Sequence, residues 1–291
     1  MINKKDIDKI SLLLNENIKK KYELISDSFD INCLKVKLEN GKKYIVKYYA
    51  NINNNFNAIE SEARNLLFLN KNNLNFFPKV ITEDKNYLII EFIDNDNIQP
   101  QVTEKDFLDS IIKIHNIKND VYGFDFNTQI GGLEINNLKE NNWINFYKNK
   151  RLYYIFDLIN KKNLIPINVV KRIEYLIKKI EEMLPSNPKP SLLHGDLWEG
   201  NILFNNKKFV GFIDPGSFFG HNELEIAYLR WFNPSFIDKD FLNKYGDIIK
   251  IERNYLSYEP VYQLYYSLLN VYLWDKSFIS NVDDLLIKLK I

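Results

Sequence analysis

The tightest constraint on this chain is a polar loop, His194-Gly-Asp196-Leu-Trp198-Glu-Gly-Asn201, set between apolar runs in the last third of its 291 residues. Ser191-Leu-Leu leads into it. Asn201-Ile-Leu-Phe and Phe209-Val-Gly-Phe-Ile follow, joined by Asn205-Asn206, and read as a short hairpin that delivers Asp214 at its end. Apolar runs of this kind are expected to be buried, which places Asp196, Asn201 and Asp214, three oxygen-bearing side chains, in and just after a loop between buried segments.

The segments on either side of this unit differ in kind. In front, Ile7, Ile10, Leu13, Leu14 and Ile18 recur at helical spacing over about 7 to 20. Cys33-Leu-Lys-Val-Lys-Leu and Tyr44-Ile-Val-Lys-Tyr-Tyr then read as two strands, and the Asn40-Gly41 dipeptide between them suits a type I′ hairpin. The tract Asn51-Ile-Asn-Asn-Asn-Phe-Asn reads as a solvated loop. Ile59, Ala63, Leu66 and Leu67 trace a helix that Pro78 ends, and Tyr87-Leu-Ile-Ile-Glu-Phe-Ile is a buried strand running into Asp94-Asn-Asp-Asn. We place a boundary there, between a small strand-rich lobe, 1–93, and a larger helical lobe, 94–291. Helical patterns cover about 104–117, 140–160, 167–184, 223–233, 237–250, 260–274 and 280–290, with Ser280 expected to cap the last. The expected class is α+β, two-lobed, with a ligand cleft between the lobes.

Composition narrows the function. Hydrophobic residues make up 45% of the chain, enough for an extensive core, and 39 Lys plus Arg nearly balance 38 Asp plus Glu. No net field is available to hold nucleic acid or an anionic membrane, and no apolar stretch is long enough to span one. The amino-terminal segment lacks a signal-peptide core, so a cytoplasmic protein is expected. The single cysteine, Cys33, reads as a small strand residue.

An Asp, an Asn five residues on and an Asp after a hairpin match the spacing that protein kinases use for phosphoryl transfer. There, a carboxylate orients the attacking hydroxyl and hard oxygen ligands hold Mg²⁺ on the phosphates. Asp196 is then the candidate base, with Asn201 and Asp214 the candidate metal ligands. Taken singly, each is an ordinary turn former. Lys47, late in its strand, needs an anion if it is buried: Glu62, its competitor Glu60, or the α- and β-phosphates of ATP. If it is not buried, it joins Lys42 and Lys43 on a solvent face.

The loop, together with Ile213-Asp-Pro-Gly-Ser-Phe-Phe-Gly-His-Asn-Glu-Leu-Glu225, resembles the fructosamine kinase (ketosamine kinase) family within the aminoglycoside phosphotransferase superfamily. His115, Tyr122-Gly-Phe through Gly131-Gly132, Asn142-Trp143, Arg151-Leu152 and Tyr262-Gln-Leu-Tyr-Tyr-Ser-Leu-Leu-Asn extend the resemblance over nearly the whole chain. It implies a protein-kinase-like fold, ATP with Mg²⁺ as donor and a free or protein-bound ketosamine as acceptor, in a role in deglycation. By the same resemblance Lys47 and Glu62 position phosphates, Glu91, Phe92 and Ile93 form the adenine-contacting hinge, and Trp198 flanks the acceptor sugar.

One departure stands out. Where the family carries small residues and glycines in a phosphate-covering turn, this chain reads Ser26-Asp-Ser-Phe-Asp30, without a glycine. Carboxylates beside phosphates repel them, which favours weakened ATP binding. Gly216 is a milder variation. His115 reads as a core histidine, His194 as a brace for the loop, Glu225 as its anchor, and the aromatic residues of 262–274 as core. Two rivals remain: a kinase of aminoglycosides, choline or another amino alcohol, and a catalytically weak nucleotide-binding regulator.

Overall fold

In the computed structural model, which describes residues 2–18, 22–49 and 56–291, the front of the chain folds around one antiparallel sheet. Helix α1 (Lys4–Leu14) starts at Asn3, whose side chain accepts from Asp6 N, and stops at Asn15 in the left-handed region (φ 52°). The helix is therefore shorter than its apolar periodicity suggests; Ile18 lies beyond it but is still buried. Strands β1 (Tyr22–Ser28), β2 (Ile31–Lys37) and β3 (Lys43–Tyr49) follow, then α2 (Ala58–Lys71), β4 (Val80–Asp84) and β5 (Tyr87–Glu91). The sheet order is β1-β2-β3-β5-β4.

At the central strands both faces of this sheet are covered, which explains why β3 does not alternate cleanly in sequence. Val46 and Tyr48 pack with Leu34, Val36, Ile89 and Ile10 beneath α1, whereas Tyr49, Leu88 and Ile90 pack with α2 into the main core. The Asn-rich call at 51–55 lies outside the described residues. The Asn40-Gly41 turn is not type I′: only Gly41 has a positive φ (85°), Gly41 N donates to Leu38 O, and Leu38 N donates to Lys42 O. This is a three-residue loop with glycine in the left-handed position, so Asn40 is spared strain.

The rest is mainly helical: α3 (Lys105–His115), α4 (Trp143–Tyr147), α5 (Tyr153–Lys161), α6 (Ile167–Met183), α7 (Asn222–Phe232), α8 (Phe241–Gly246), α9 (Tyr255–Leu273) and α10 (Ile279–Lys288). A single π-helical stretch, Lys148–Leu152, joins α4 to α5. Three two-stranded ribbons interrupt the helices: β6 (Thr128–Ile130) with β7 (Leu133–Ile135), β8 (Ser191–Leu193) with β11 (Phe218–Gly220), and β9 (Ile202–Asn205) with β10 (Lys208–Phe212). The β9–β10 turn falls on Asn206-Lys207, both at positive φ, one residue later than the sequence suggests. Helix α8 is also much shorter than 237–250. Ser280 does not cap α10: it sits inside the first turn, its hydroxyl donating to Ser277 O, and Asp275 caps the preceding 3₁₀ turn by accepting from Ser277 N. Among the described residues no helix is long and apolar enough to cross a membrane.

Candidate active site

The loop at 194–201 connects β8 to β9, and its backbone is held from behind by a buried carboxylate. Glu225, on the first turns of α7, is fully buried. Its Oε2 accepts from His194 N at 3.0 Å and from His115 Nε2 at 2.9 Å, while its Oε1 accepts from Gly195 N at 2.7 Å. Burial alone would raise the Glu225 carboxyl, but the hydrogen bond from His115 and the neighbouring imidazoles hold it below the usual range. His115 Nδ1 meets the Tyr245 hydroxyl at 2.7 Å. His194 completes the brace: its Nδ1 accepts from Asp196 N and its Nε2 donates to Ile213 O at 2.9 Å, with burial keeping the imidazole below the usual histidine range.

Gly195 has a φ of 91°, and a Cβ there would fall well inside contact distance of Gly216 O. Gly216 N in turn donates to His194 O at 2.9 Å. The two glycines let the loop and the segment after Asp214 run backbone against backbone. A second layer supports this crossing. Thr128 Oγ1 donates to Gly216 O, Asn137 Nδ2 donates to Thr128 Oγ1, and Arg151 NH2 donates to Asn137 Oδ1 at 2.6 Å. Arg151 is fully buried, its guanidinium 3.9 Å from the Phe218 ring centroid.

Asp196, Asn201 and Asp214 do come together. Asn201 Nδ2 donates to Asp196 O at 2.8 Å and to Asp196 Oδ2 at 3.1 Å, and the Tyr228 hydroxyl donates to Asp196 Oδ1 at 3.4 Å. Burial and the Asp214 charge push the Asp196 carboxyl up to about 7. Asp214 has a φ of 55°, a strained position for a non-glycine residue and of the kind that collects at functional sites. Across the cleft, Lys47 Nζ lies 2.7 Å from Glu62 Oε1 and 2.6 Å from Asp214 Oδ1. Burial opposes its charge, but Asp214 and Glu62 outweigh burial and hold the ammonium protonated. The sequence left Lys47 either buried or exposed and its partner open. It is buried, and Glu62, not Glu60, is the partner on α2.

The three residues expected at an adenine-contacting hinge lie at and just beyond the end of β5. Glu91 is exposed, its N donating to Lys79 O; the Phe92 ring lies beneath the Lys35 and Lys43 ammoniums; and Ile93 O accepts from Asn95 Nδ2. Cys33 pairs with Lys47 across β2 and β3, and burial pushes its thiol up to about 11. His221, with Nδ1 2.8 Å from the Tyr262 hydroxyl, is pushed down to about 3 by burial, and no cluster of three potential metal-binding side chains exists among the described residues.

Asp196 forms part of a cavity of about 240 Å³ whose walls are largely apolar, among them the rings of Trp198, Tyr228, Phe232 and Trp274, with Gly131 and Asn270. Three of these were missed in sequence. Tyr228 follows Glu225 by three residues on α7, so a helix face that anchors the loop also carries a side chain to Asp196; that spacing was the available signal. Phe232 continues that face. Trp274, expected as core along with Tyr262, Tyr265 and Tyr266, is instead 58% exposed, because α9 ends at Leu273 and Trp274 turns out beside the cavity.

Residues 7–290 match the fructosamine kinase family model. The chain belongs to the fructosamine kinase family. It is accordingly a phosphotransferase that acts on an alcohol group of a ketosamine. It is similar to a probable ketoamine kinase of Pasteurella multocida (32% identical over 214 residues, 72% of each chain). It also resembles the protein-ribulosamine 3-kinase of Arabidopsis thaliana (28% identical, 58% of this chain and 52% of that one). A crystal structure of a Thermobifida fusca protein provisionally named fructosamine-3-kinase superposes with a TM-score of 0.84 at 20% identity, covering 98% of both chains. The streptomycin–ATP complex of APH(2″)-IIa gives 0.66 at 17% identity, covering 99% of this chain and 97% of that one. The fold is thus the two-lobed, protein-kinase-like one.

Proposed function

We propose that the chain transfers the γ-phosphoryl group of ATP to a sugar hydroxyl of a ketosamine, with Asp196 as base, in a role in deglycation. The observation that carries this reading is Asp196: it lines a largely apolar cavity, and its carboxylate accepts from Asn201 Nδ2 and from the hydroxyl of Tyr228, itself a wall of that cavity. A hydroxyl entering the cavity donates to Asp196; as the new P–O bond forms and the bond to the ADP oxygen breaks, the proton passes to that carboxylate. An aromatic wall at Trp198 suits the apolar face of a sugar ring.

The donor set fits Mg²⁺. Asn201 uses Nδ2 on Asp196, which leaves its Oδ1 for a cation, and Asp214 uses Oδ1 on Lys47, which leaves Oδ2. One amide and one carboxylate would suit Mg²⁺, which ordinarily takes its remaining oxygens from nucleotide phosphates and water. Bound there, the ion neutralises phosphate charge. Lys47, held by Glu62, positions the α- and β-phosphates, and Glu91, Phe92 and Ile93 contact the adenine. We take residues 1–93 and 94–291 as the two lobes that close on the nucleotide.

Asp196 is the sole charged residue among those lining the cavity, a poor match to a polycationic aminoglycoside and the reason for preferring a ketosamine. The test is Mg²⁺-dependent ADP release with fructosyl-lysine and ribulosyl-lysine, run beside an aminoglycoside, choline and a no-acceptor control. Turnover with a ketosamine alone is expected; turnover with choline or an aminoglycoside alone overturns the acceptor assignment.

A further inference from the structure

The glycine-free turn does something that a glycine turn could not. Phe29 and Asp30 join β1 to β2 with φ values of 55° and 61°, both in the left-handed region. A bulky aromatic residue stays there only when its surroundings over-determine it. For Phe29 those surroundings belong to the other lobe. The β6–β7 turn is Gly131-Gly132, at φ 53° and 76°, with Gly132 N donating to Gln129 Oε1 at 2.8 Å. A Cβ added at Gly131 would lie 3.1 Å from Phe29 Cε2 and Cζ, and one added at Gly132 would lie 3.0 Å from Phe29 Cβ. The paired glycines therefore form a seat into which the ring fits. On its other side the ring meets Trp274 edge to face, centroids 5.0 Å apart.

Gly131 and Trp274 are also wall residues of the cavity that contains Asp196. One side chain at the tip of the nucleotide-covering hairpin thus touches two points on the acceptor wall. We propose that Phe29 is a positioning residue that couples the two substrate sites: nucleotide bound beneath the hairpin holds the ring in its seat, fixes Gly131 and Trp274, and tightens acceptor binding. The proposal rests on reading that cavity as the acceptor site. By linkage the coupling is reciprocal, so acceptor tightens nucleotide by the same factor.

The test uses the full chain and Phe29→Gly, which removes the ring and relieves the left-handed backbone together. In the first arm, amide exchange of residues 128–135 and 270–278 is followed with and without a non-hydrolysable ATP analogue and Mg²⁺. The analogue slows exchange at both segments in the wild type and leaves it unchanged in the variant. In the second arm, calorimetry measures ribulosyl-lysine affinity with and without the analogue. The wild type shows coupling of about tenfold, Phe29→Gly and Trp274→Ala bring it to about one, and Trp274→Phe, which keeps a ring in the seat, restores part of it. Equal protection in wild type and Phe29→Gly overturns the proposal. So does a parallel loss of nucleotide and acceptor affinity with the coupling factor intact, the signature of a purely structural clamp. If the wild type binds no ketosamine while the first arm behaves as described, the acceptor reading fails and the coupling stands.

Discussion

Two loops face each other across the cleft, and they are held in opposite ways. The catalytic loop is tied at its start by a buried carboxylate, a buried imidazole and a backbone crossing with Gly216. The hairpin turn at Phe29-Asp30 is held across the cleft by one aromatic ring in a glycine seat. The difference suits the roles we propose for them: a base must stay within tenths of an ångström of its hydroxyl, so its support is over-determined, whereas a cover must release product and so uses contacts that are cheap to break.

The comparison is tested hardest at the base itself. Asp196→Asn is expected to lower kcat by roughly 10³-fold or more while changing nucleotide affinity by less than about twofold, because the base is lost and the phosphate contacts remain. Single-turnover kinetics and nucleotide titration check this; a variant that keeps a tenth of its turnover removes Asp196 from the role.

Next comes the anchor. Glu225→Ala leaves the His194 and Gly195 amides and His115 without their buried acceptor, an expected loss of about 3–5 kcal/mol in denaturant unfolding. Phe29→Gly should change stability by less than about 1 kcal/mol, since the lost ring contacts are offset by relief of a strained φ. Were the two variants equally destabilised, the contrast between an over-determined loop and a lightly held cover would fail.

How much of this was legible follows the same division. The convergence of Asp196, Asn201 and Asp214 could be read because it is local: Asp196 and Asn201 lie within one loop, and Asp214 follows a single hairpin. Glu225 and the brace by His194 were reached as well. The turn was read as a weakness at the nucleotide, because nothing in Ser26-Asp-Ser-Phe-Asp30 reveals that Phe29 packs onto Gly131, Gly132 and Trp274, about a hundred and more than two hundred residues away. Strand β4 was hidden behind Pro78, and β6 and β7 have too few residues for a period-two pattern to register. The π-helical stretch that carries Arg151 to Asn137 leaves no periodic mark distinct from a helix.

The smallest effect separates Asp196 from Glu225, the carboxylate on α7 that anchors its loop, by sign. Burial and Asp214 raise Asp196 to about 7 in the folded chain, so between the usual carboxylate range near 4 and about 7 the folded state binds more protons than the unfolded one. Its contribution to stability is therefore greatest at acid pH and is lost as pH rises through that window. Glu225, held low, contributes the reverse: stability present above the usual range and lost as pH falls. Asp196→Asn removes the first contribution without touching the second. Thermal unfolding of the nucleotide-free protein should show the variant level with wild type near pH 4 and more stable by about 3–5 °C at pH 8, the equivalent of roughly 1–2 kcal/mol in a chain of this size. A variant advantage that shrinks as pH rises would mean that Asp196 is ionised and stabilising in the free enzyme, with attraction outweighing the burial and the Asp214 charge that raise it here.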